Sequence, residues 1–290
     1  MNPPRELNRA ELRDFPLPAW KDSDKDAHGK LLICAGSRDV PGSAILAASA
    51  AFRTGAGKVQ LATARSVAAG IALLIPELLV MGVEESEDGG FAEGAADLLS
   101  ERAQRVDAIL AGPGVQQNEA LQAISCTLLK AGRPLVLDAA VLHALSAIAE
   151  VSRNSATPPV LLPHSGEMAA LLGCCEEEAA QDPLSAAVKA ADHYNAVVLA
   201  KGSTSFIASP DGRTWVWRGG VPGLGVAGSG DVLAGIVAAL LARGADQLTA
   251  LLWGVLLHGE AGESLSRKVG AIGFKASELP DEIPALLAPQ

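Results

Sequence analysis

Short, unbroken apolar runs recur along this chain, and longer alanine-rich segments separate them. Buried strands of a parallel sheet have this pattern, because helices cover both faces of the sheet and leave no polar alternation. The pattern therefore predicts an α/β fold with a central, mostly parallel sheet. Seven strands are predicted, over residues 31–34, 59–62, 78–80, 108–110, 135–137, 160–162 and 197–199.

The segments between these runs have the length and alanine content of helices. Five helices are predicted there, over residues 44–54, 119–131, 141–149, 167–172 and 183–195. After residue 199 the pattern changes, because two short apolar runs (205–208 and 214–217) flank the turn sequence SPDG and predict a hairpin. Three further helices are predicted to follow, over residues 231–242, 248–266 and 278–287.

The chain contains no internal repeat and no long Ser- or Pro-rich linker, so its 290 residues are predicted to form a single domain. Its hydrophobic content of 49% is ample for one large core. Residues 1–28 are predicted to form a polar N-terminal arm. The four cysteines form no CxxC pair and have no zinc spacing, which predicts reduced thiols.

Composition and charge exclude several classes of function. A net charge of −10 argues against nucleic-acid binding, because a phosphate backbone selects a basic surface. No apolar run approaches the roughly 18–20 residues that span a bilayer. The N-terminus is charged and lacks the apolar core of a signal peptide, so a cytoplasmic protein is expected.

Glycine-rich turns follow several of the predicted strands: Gly36-Ser37, Gly112-Pro113-Gly114 and Lys201-Gly202. Ligands of open parallel sheets bind at the carboxyl ends of the strands, where glycine lets the backbone approach them closely. A single such turn also serves simply to end a strand. Together they favour a ligand site at this edge of the sheet.

The most informative segment is GVAGSGD, residues 225–231, which leads into an apolar helix. Small residues at a helix start leave amides accessible, and with the helix dipole these amides form an anion site. A carboxylate at Asp231 either caps the helix or takes a proton from a hydroxyl that attacks phosphorus. The complete Gly-Ser-Gly-Asp sequence favours the base.

GVAGSGDVLAG resembles the signature of the ribokinase-like superfamily, a three-layer αβα sandwich with a hairpin near one edge of the sheet. Other segments resemble, in order and spacing, the ADP/ATP-dependent (S)-NAD(P)H-hydrate dehydratases: AGSRDVPGSA, DAILAGPGV, LVLDA, PHSGE and LAKGSTSFIASPDG. The resemblance extends from about Gly29 to the end of the chain. It implies the dehydration of (6S)-NADHX and (6S)-NADPHX at the expense of ADP or ATP, by phosphorylation of the hydrate hydroxyl and elimination of phosphate.

The resemblance also implies a role for each matching residue. Asp231 would act as the catalytic base and contact the hydrate. The anion hole would consist of Gly228, Ser229 and Gly230, and Gly230 would also contact the nucleotide. The remaining matches are the hydrate-binding Ala44, Gly114 and His164, the nucleotide-binding Lys201, Gly202, Ser203, Thr204 and Ser205, and Glu167 near Mg²⁺.

Several of these residues also have a plain structural interpretation. His164 and Glu167 could cap or favour the helix that begins near Gly166, and Lys201 could be a solvated lysine at a strand end. The other histidines, His258 among them, have no partner pattern and are expected to be structural or exposed. Trp215 and Trp217 share one face of a strand and could cover either the core or an oligomer contact.

Leu162, Ser165, Ala140 and Val226 replace residues that are common in the family. The alternative functions are a small-molecule kinase of the same fold, acting on a thiazole, hydroxymethylpyrimidine or pyridoxal, and a non-catalytic nucleotide-binding subunit. PHSGE argues against the kinase, and Asp231 argues against the binding subunit. The resemblance further implies an NAD(P)H-hydrate epimerase on a separate chain and assembly as a homotetramer.

Overall fold

The computed structural model of the chain describes residues 3–19 and 28–288. These residues contain a ten-stranded sheet in the order β1-β10-β9-β8-β7-β6-β5-β2-β3-β4. The strands are β1 (Arg5–Glu6), β2 (Lys30–Cys34), β3 (Lys58–Ala64), β4 (Leu79–Val83), β5 (Ala108–Ala111), β6 (Leu135–Leu137), β7 (Val160–Leu161), β8 (Val197–Ala200), β9 (Ser205–Ala208) and β10 (Thr214–Trp217).

Twelve α-helices lie within the described residues. They are α1 (Gly42–Arg53), α2 (Arg65–Leu74), α3 (Ala95–Ala103), α4 (Ala120–Lys130), α5 (Ala140–Leu145), α6 (Ala149–Arg153), α7 (Ser165–Leu172), α8 (Glu176–Gln181), α9 (Pro183–Tyr194), α10 (Ser229–Ala242), α11 (Gln247–Lys268) and α12 (Leu279–Leu287). None of these helices is long and apolar enough to cross a membrane.

The sheet confirms the predicted strands and the predicted hairpin. Strands β2 to β8 pair in parallel, and only the hairpin strand β9 runs antiparallel to its neighbours. Two buried clusters lie around the sheet. One includes residues of α1, α10, α11 and α12, and the other includes residues of α3, α4, α5, α7 and α9. All four cysteines are free thiols, as predicted.

The N-terminal arm is more closely integrated than the sequence predicted. Arg5 and Glu6 add an edge strand parallel to β10, and Leu7 and Leu12 are buried in the core. Trp215 lies beneath the arm and donates its indole N–H to Glu11 Oε1 at 2.9 Å. Trp215 therefore covers the core, one of the two alternatives for this residue. Residues 20–27 of the predicted arm lie outside the described residues.

The helix predicted over residues 141–149 is wrong as a single element. Helix α5 ends at Leu145, a 3₁₀ turn covers Ser146–Ile148, and α6 begins at Ala149. The backbone of Ile148 leaves the helical region at φ −126° and ψ 27°, although its side chain stays buried in the core. Apolar periodicity alone does not reveal such a break. The sequence also failed to predict α2, α3, α6 and α8.

The topology brings the functional segments to one edge of the sheet. Strands β2, β5, β6, β7 and β8 are parallel neighbours, so the segments that follow them lie side by side. Helix α1 packs closely on α10 because Gly235 has no side chain. A Cβ at Gly235 would lie 2.3 Å from the Ala47 carbonyl oxygen. This contact holds the start of α1 beside the start of α10.

Candidate active site

The turn before α10 requires glycine at position 228. Gly228 has φ +88°, and a Cβ there would lie 2.3 Å from Leu46 Cδ1. Ser229 N–H donates to the Val226 carbonyl oxygen at 3.2 Å and closes the turn. Of the three residues of the predicted anion hole, Ser229 thus has an amide that is paired within the protein. The amides of Gly230 and Asp231 make no backbone hydrogen bond to the described residues.

Asp231 lies in the first turn of α10 and is partly buried. Burial raises the pKa of its carboxyl from 3.8 to about 6, and the nearby charge of Asp138 adds to the rise. A hydrogen bond from the Ser43 hydroxyl and the charge of Lys201 act in the opposite direction. A carboxylate with a pKa close to neutrality is suited to general-base chemistry.

Lys201 is paired with two carboxylates that follow other strands. Its Nζ lies 2.7 Å from Asp138 Oδ1 and 3.7 Å from Glu167 Oε2. Burial opposes the charge of Lys201, but Asp138 and Glu167 outweigh it and raise the pKa of the ammonium group. The interpretation of Lys201 as a solvated strand-end lysine is therefore wrong.

His164 is the N-cap of α7. Its Nδ1 accepts from the amides of Gly166 at 3.0 Å and Glu167 at 3.4 Å, and Glu167 Oε2 accepts from the His164 amide at 2.8 Å. The structural interpretation of both residues as capping residues is thus confirmed. The His164 side chain remains 58% exposed, so capping leaves the ring accessible to a ligand.

A cavity of about 690 Å³ joins these groups, and its size is in the usual range for small-molecule sites. Its polar part contains Asp138, His164, Glu167, Lys201 and the 228–231 turn. Its apolar part includes Trp217, Val221, Pro222, Leu224 and Val255. Gly202, Ser203 and Ser205 also line this cavity, whereas Thr204 does not. Trp217 therefore faces the candidate site, a position that the sequence did not predict.

Two of the predicted hydrate-binding residues lie outside this cavity. Ala44 is fully buried in α1, and Gly114 packs so closely that a Cβ would lie 2.6 Å from Ser43 Cβ. Their loops do converge, since the Gly36 amide donates to the Pro113 carbonyl oxygen at 2.8 Å. His164 lines the cavity together with the Lys201 segment. Its strand β7 neighbours β8, which places His164 beside Lys201.

The sequence missed Asp138, Ser43 and His258 as site residues. Asp138 follows β6 and carries the signal of a carboxylate at a strand end, and residue 139 beside it has the unusual φ of +52°. Ser43 and His258 lie on helices and carry no comparable signal. His258 Nε2 lies 3.0 Å from Ser229 Oγ, a contact between two helices that the sequence does not reveal.

The described residues contain no group of three His, Cys, Asp or Glu side chains that could hold a metal ion. A Mg²⁺ ion that arrives with phosphates needs only one or two protein carboxylates, because phosphate and water oxygens fill its remaining positions. Glu167 faces the cavity and satisfies that smaller requirement. The donor set therefore fits a nucleotide-bound Mg²⁺ and does not fit an all-protein metal site.

The mostly parallel sheet between helical layers, with a glycine turn and an aspartate at the start of a late helix, defines the ribokinase-like class of α/β proteins. A family model for NAD(P)H-hydrate dehydratase matches residues 31–285 of the chain. The chain belongs to the NAD(P)H-hydrate dehydratase family.

Relatives agree with this assignment. The ADP-dependent (S)-NAD(P)H-hydrate dehydratase of Xanthomonas campestris pv. campestris is 45% identical over 284 residues, which cover 98% of this chain and 96% of that protein. The bifunctional NAD(P)H-hydrate repair enzyme of Moorella thermoacetica is 38% identical over 264 residues, or 91% of this chain. The chain spans only half of that relative's length, since the match covers 50% of it.

A solved structure matches the whole architecture. The crystal structure of the ADP/ATP-dependent NAD(P)H-hydrate dehydratase from Bacillus subtilis, co-crystallised with ATP/Mg²⁺, has a TM-score of 0.80 and 28% sequence identity. The match covers 97% of each chain.

Proposed function

We propose that this chain dehydrates (6S)-NADHX and (6S)-NADPHX to NADH and NADPH at the expense of ADP or ATP. Family membership over nearly the whole chain supports this activity. The observation that carries the chemistry is the partly buried Asp231 carboxylate, which has a pKa of about 6 and lies beside the open amides at the start of α10.

In this proposal the terminal phosphoryl group of the nucleotide lies over the start of α10. The Gly230 amide and the helix dipole stabilise its charge, and Gly228 keeps the turn free of side-chain atoms. Lys201 and the segment that follows it hold the remaining phosphate oxygens. The apolar wall around Trp217 leaves room for the nucleotide base.

Asp231 takes the proton from the hydroxyl of the hydrated nicotinamide ring while the hydroxyl oxygen attacks phosphorus. The P–O bond to the leaving nucleotide breaks, and a phosphate ester forms on the ring. Elimination of phosphate then breaks the C–O bond, and loss of a proton from the adjacent ring carbon restores the ring double bond. Ala44, Gly114 and His164 remain the proposed hydrate contacts. Mg²⁺ held by Glu167 would supply positive charge near the phosphates.

The first experiment adds ADP or ATP to prepared NADH hydrate and follows the absorbance of reduced nicotinamide. A nucleotide-dependent return of that absorbance supports the dehydratase. A phosphorylated product that accumulates without NADH would indicate the alternative kinase of the same fold. An absence of turnover with retained ADP binding would indicate a binding subunit.

The proposal also includes an NAD(P)H-hydrate epimerase on a separate chain, assembly as a homotetramer, and a cytoplasmic location. Size measurement by light scattering tests the tetramer. Turnover of a mixture of the two hydrate epimers, with and without added epimerase, tests whether a separate epimerase is needed to convert the second epimer.

A further inference from the structure

His258 on α11 contacts the first turn of α10 through a side-chain hydrogen bond. Its Nε2 lies 3.0 Å from Ser229 Oγ, and both residues line the candidate site. Burial lowers the pKa of His258 to about 4, which keeps the imidazole neutral at physiological pH. A neutral imidazole bears one N–H and one lone pair, so it pairs with a hydroxyl in either tautomer.

Ser229 is thus held from two directions. Its amide donates to the Val226 carbonyl oxygen at 3.2 Å, and its hydroxyl is fixed by the ring of His258. Gly228 between these contacts adopts φ +88°, a conformation that an L side chain would strain. The path of the turn therefore depends on the position of Ser229.

The next two residues are the proposed reactive groups. A Cβ on Gly230 would lie 3.7 Å from Lys201 Nζ, so this part of the turn faces the phosphate-binding lysine. Asp231 follows immediately and carries the proposed base. A rotation of the first turn would displace the Gly230 amide and the Asp231 carboxylate together.

We propose that His258 is a positioning residue for phosphoryl transfer. Through its hydrogen bond to Ser229, it fixes the positions of the Gly230 amide and the Asp231 carboxylate. The inference rests on the proposed function, but it assigns a role to a residue that contacts neither reacting atom in that mechanism. The ring packs in the site as well as hydrogen-bonding there, so the test must separate these two roles.

The test compares His258→Leu, which removes the hydrogen bond, with His258→Gln, which keeps a donor and an acceptor on a side chain of similar length. Ser229→Ala removes the other partner with little change in volume. We expect His258→Leu and Ser229→Ala each to lower kcat about tenfold, as loss of one hydrogen bond implies. His258→Gln should stay within about threefold of the wild type.

The double variant Ser229→Ala/His258→Leu should be no slower than either single variant, because both act on one contact. The KM for the hydrate should stay within about twofold, and ADP affinity should fall several-fold as the Gly230 amide shifts. His143→Leu, outside the site, serves as the control. Thermal unfolding and circular dichroism establish that each variant is folded.

Three results would overturn the proposal. One is a double variant in which the two losses of kcat add. The others are a kcat of His258→Gln as low as that of His258→Leu, and a kcat of Ser229→Ala equal to that of the wild type. The turnover of the wild type tests the proposed function separately from the comparison of each variant with the wild type. If the wild type lacks dehydratase activity, calorimetric ADP affinities of the same variants still test the positioning role. Unchanged ADP affinity in both single variants would then contradict it.

Discussion

The two sides of Asp231 differ in how they are built. On one side lies the open cavity, where Lys201 is already paired with Asp138 and Glu167. On the other side the loops around Gly36 and Gly114 are closely packed, and Ser43 connects them to the Asp231 carboxylate. The cavity side combines a fixed lysine with an apolar wall, whereas the loop side consists of small residues in close contact.

This difference indicates what each side contributes. Ion pairs around Lys201 hold a cation in place before any ligand binds, which lowers the cost of organising the site. Small residues on the loop side allow a flat ring to approach the backbone. Gly114 already lies against Ser43 and Val40, so the loop side has little free volume. Substitutions on the two sides should therefore have different consequences.

The largest expected effect comes from Asp231, where the two sides meet. Asp231→Asn should lower kcat about 10²–10⁴-fold and leave ADP binding largely intact, because it removes the base and keeps the side-chain shape. Steady-state kinetics and calorimetry give the two values. Activity within a few-fold of the wild type would reduce Asp231 to a helix cap.

The same variant has a stability signature. Because folding raises the pKa of Asp231 from 3.8 to about 6, the folded state favours the protonated acid. Its stabilising contribution is complete below about pH 4 and is lost as pH rises through about 6. At pH 8 the free energy of unfolding of Asp231→Asn should therefore exceed that of the wild type by about 1–3 kcal/mol. At pH 4 the two proteins should be about equally stable.

The next two variants add one side chain on each side of Asp231, at Gly230 on the cavity side and at Gly114 on the loop side. Gly230→Val should weaken ADP binding about 10²-fold or more, because the side chain would block the approach of phosphate to the amides. Loss of one oxyanion-type donor costs on the order of 3–4 kcal/mol, and displacing the phosphate should cost at least as much. Its stability should change little, since the nearest atom to a new Cβ is Lys201 Nζ at 3.7 Å.

Gly114→Ala is the matched variant on the loop side. It should lower the free energy of unfolding by about 1–3 kcal/mol, because φ is +63° and the Val40 carbonyl oxygen lies 2.7 Å from the new Cβ. Unchanged ADP affinity in a folded Gly230→Val variant would mean that the phosphate lies elsewhere. Ala44→Leu is a poor probe of the hydrate, because Ala44 is fully buried and the larger side chain would overpack the core.

A smaller effect is expected at His164. His164→Ala should raise the KM for NADH hydrate about tenfold and change the KM for ADP much less, if the ring hydrogen-bonds the hydrate. His164→Asn is the control, because asparagine still caps α7 but lacks the imidazole. A rise in the ADP KM alone would assign His164 to the nucleotide, whose proposed segment lines the same cavity.

The strands and the Asp231 turn could be predicted because their signals are local. Each buried strand is an unbroken apolar run, and GSGD is a contiguous string at a helix start. The paired groups could not be predicted in the same way. Asp138 and Lys201 are 63 residues apart, and Ser229 and His258 are 29 apart, so only the packing of different elements reveals these contacts.

Other errors have equally physical causes. Helices α3 and α8 are short and polar, with few buried residues, so their apolar period is weak. The edge strand in the N-terminal arm comprises only two exposed residues and depends on β10 for its hydrogen bonds. The break between α5 and α6 lies within a continuous apolar pattern.

The pH dependence of kcat/KM tests the central claim, that Asp231 is a base whose pKa is held near neutrality by its partial burial. The base is active when ionised, so the rate should be level above about pH 6 and fall tenfold per pH unit below it. Asp138→Asn should shift this acidic limb, the fall in rate below about pH 6, to lower pH, since the Asp138 charge raises the pKa of Asp231. A rate that stays level down to pH 4.5, or an unmoved limb in Asp138→Asn, would contradict the account.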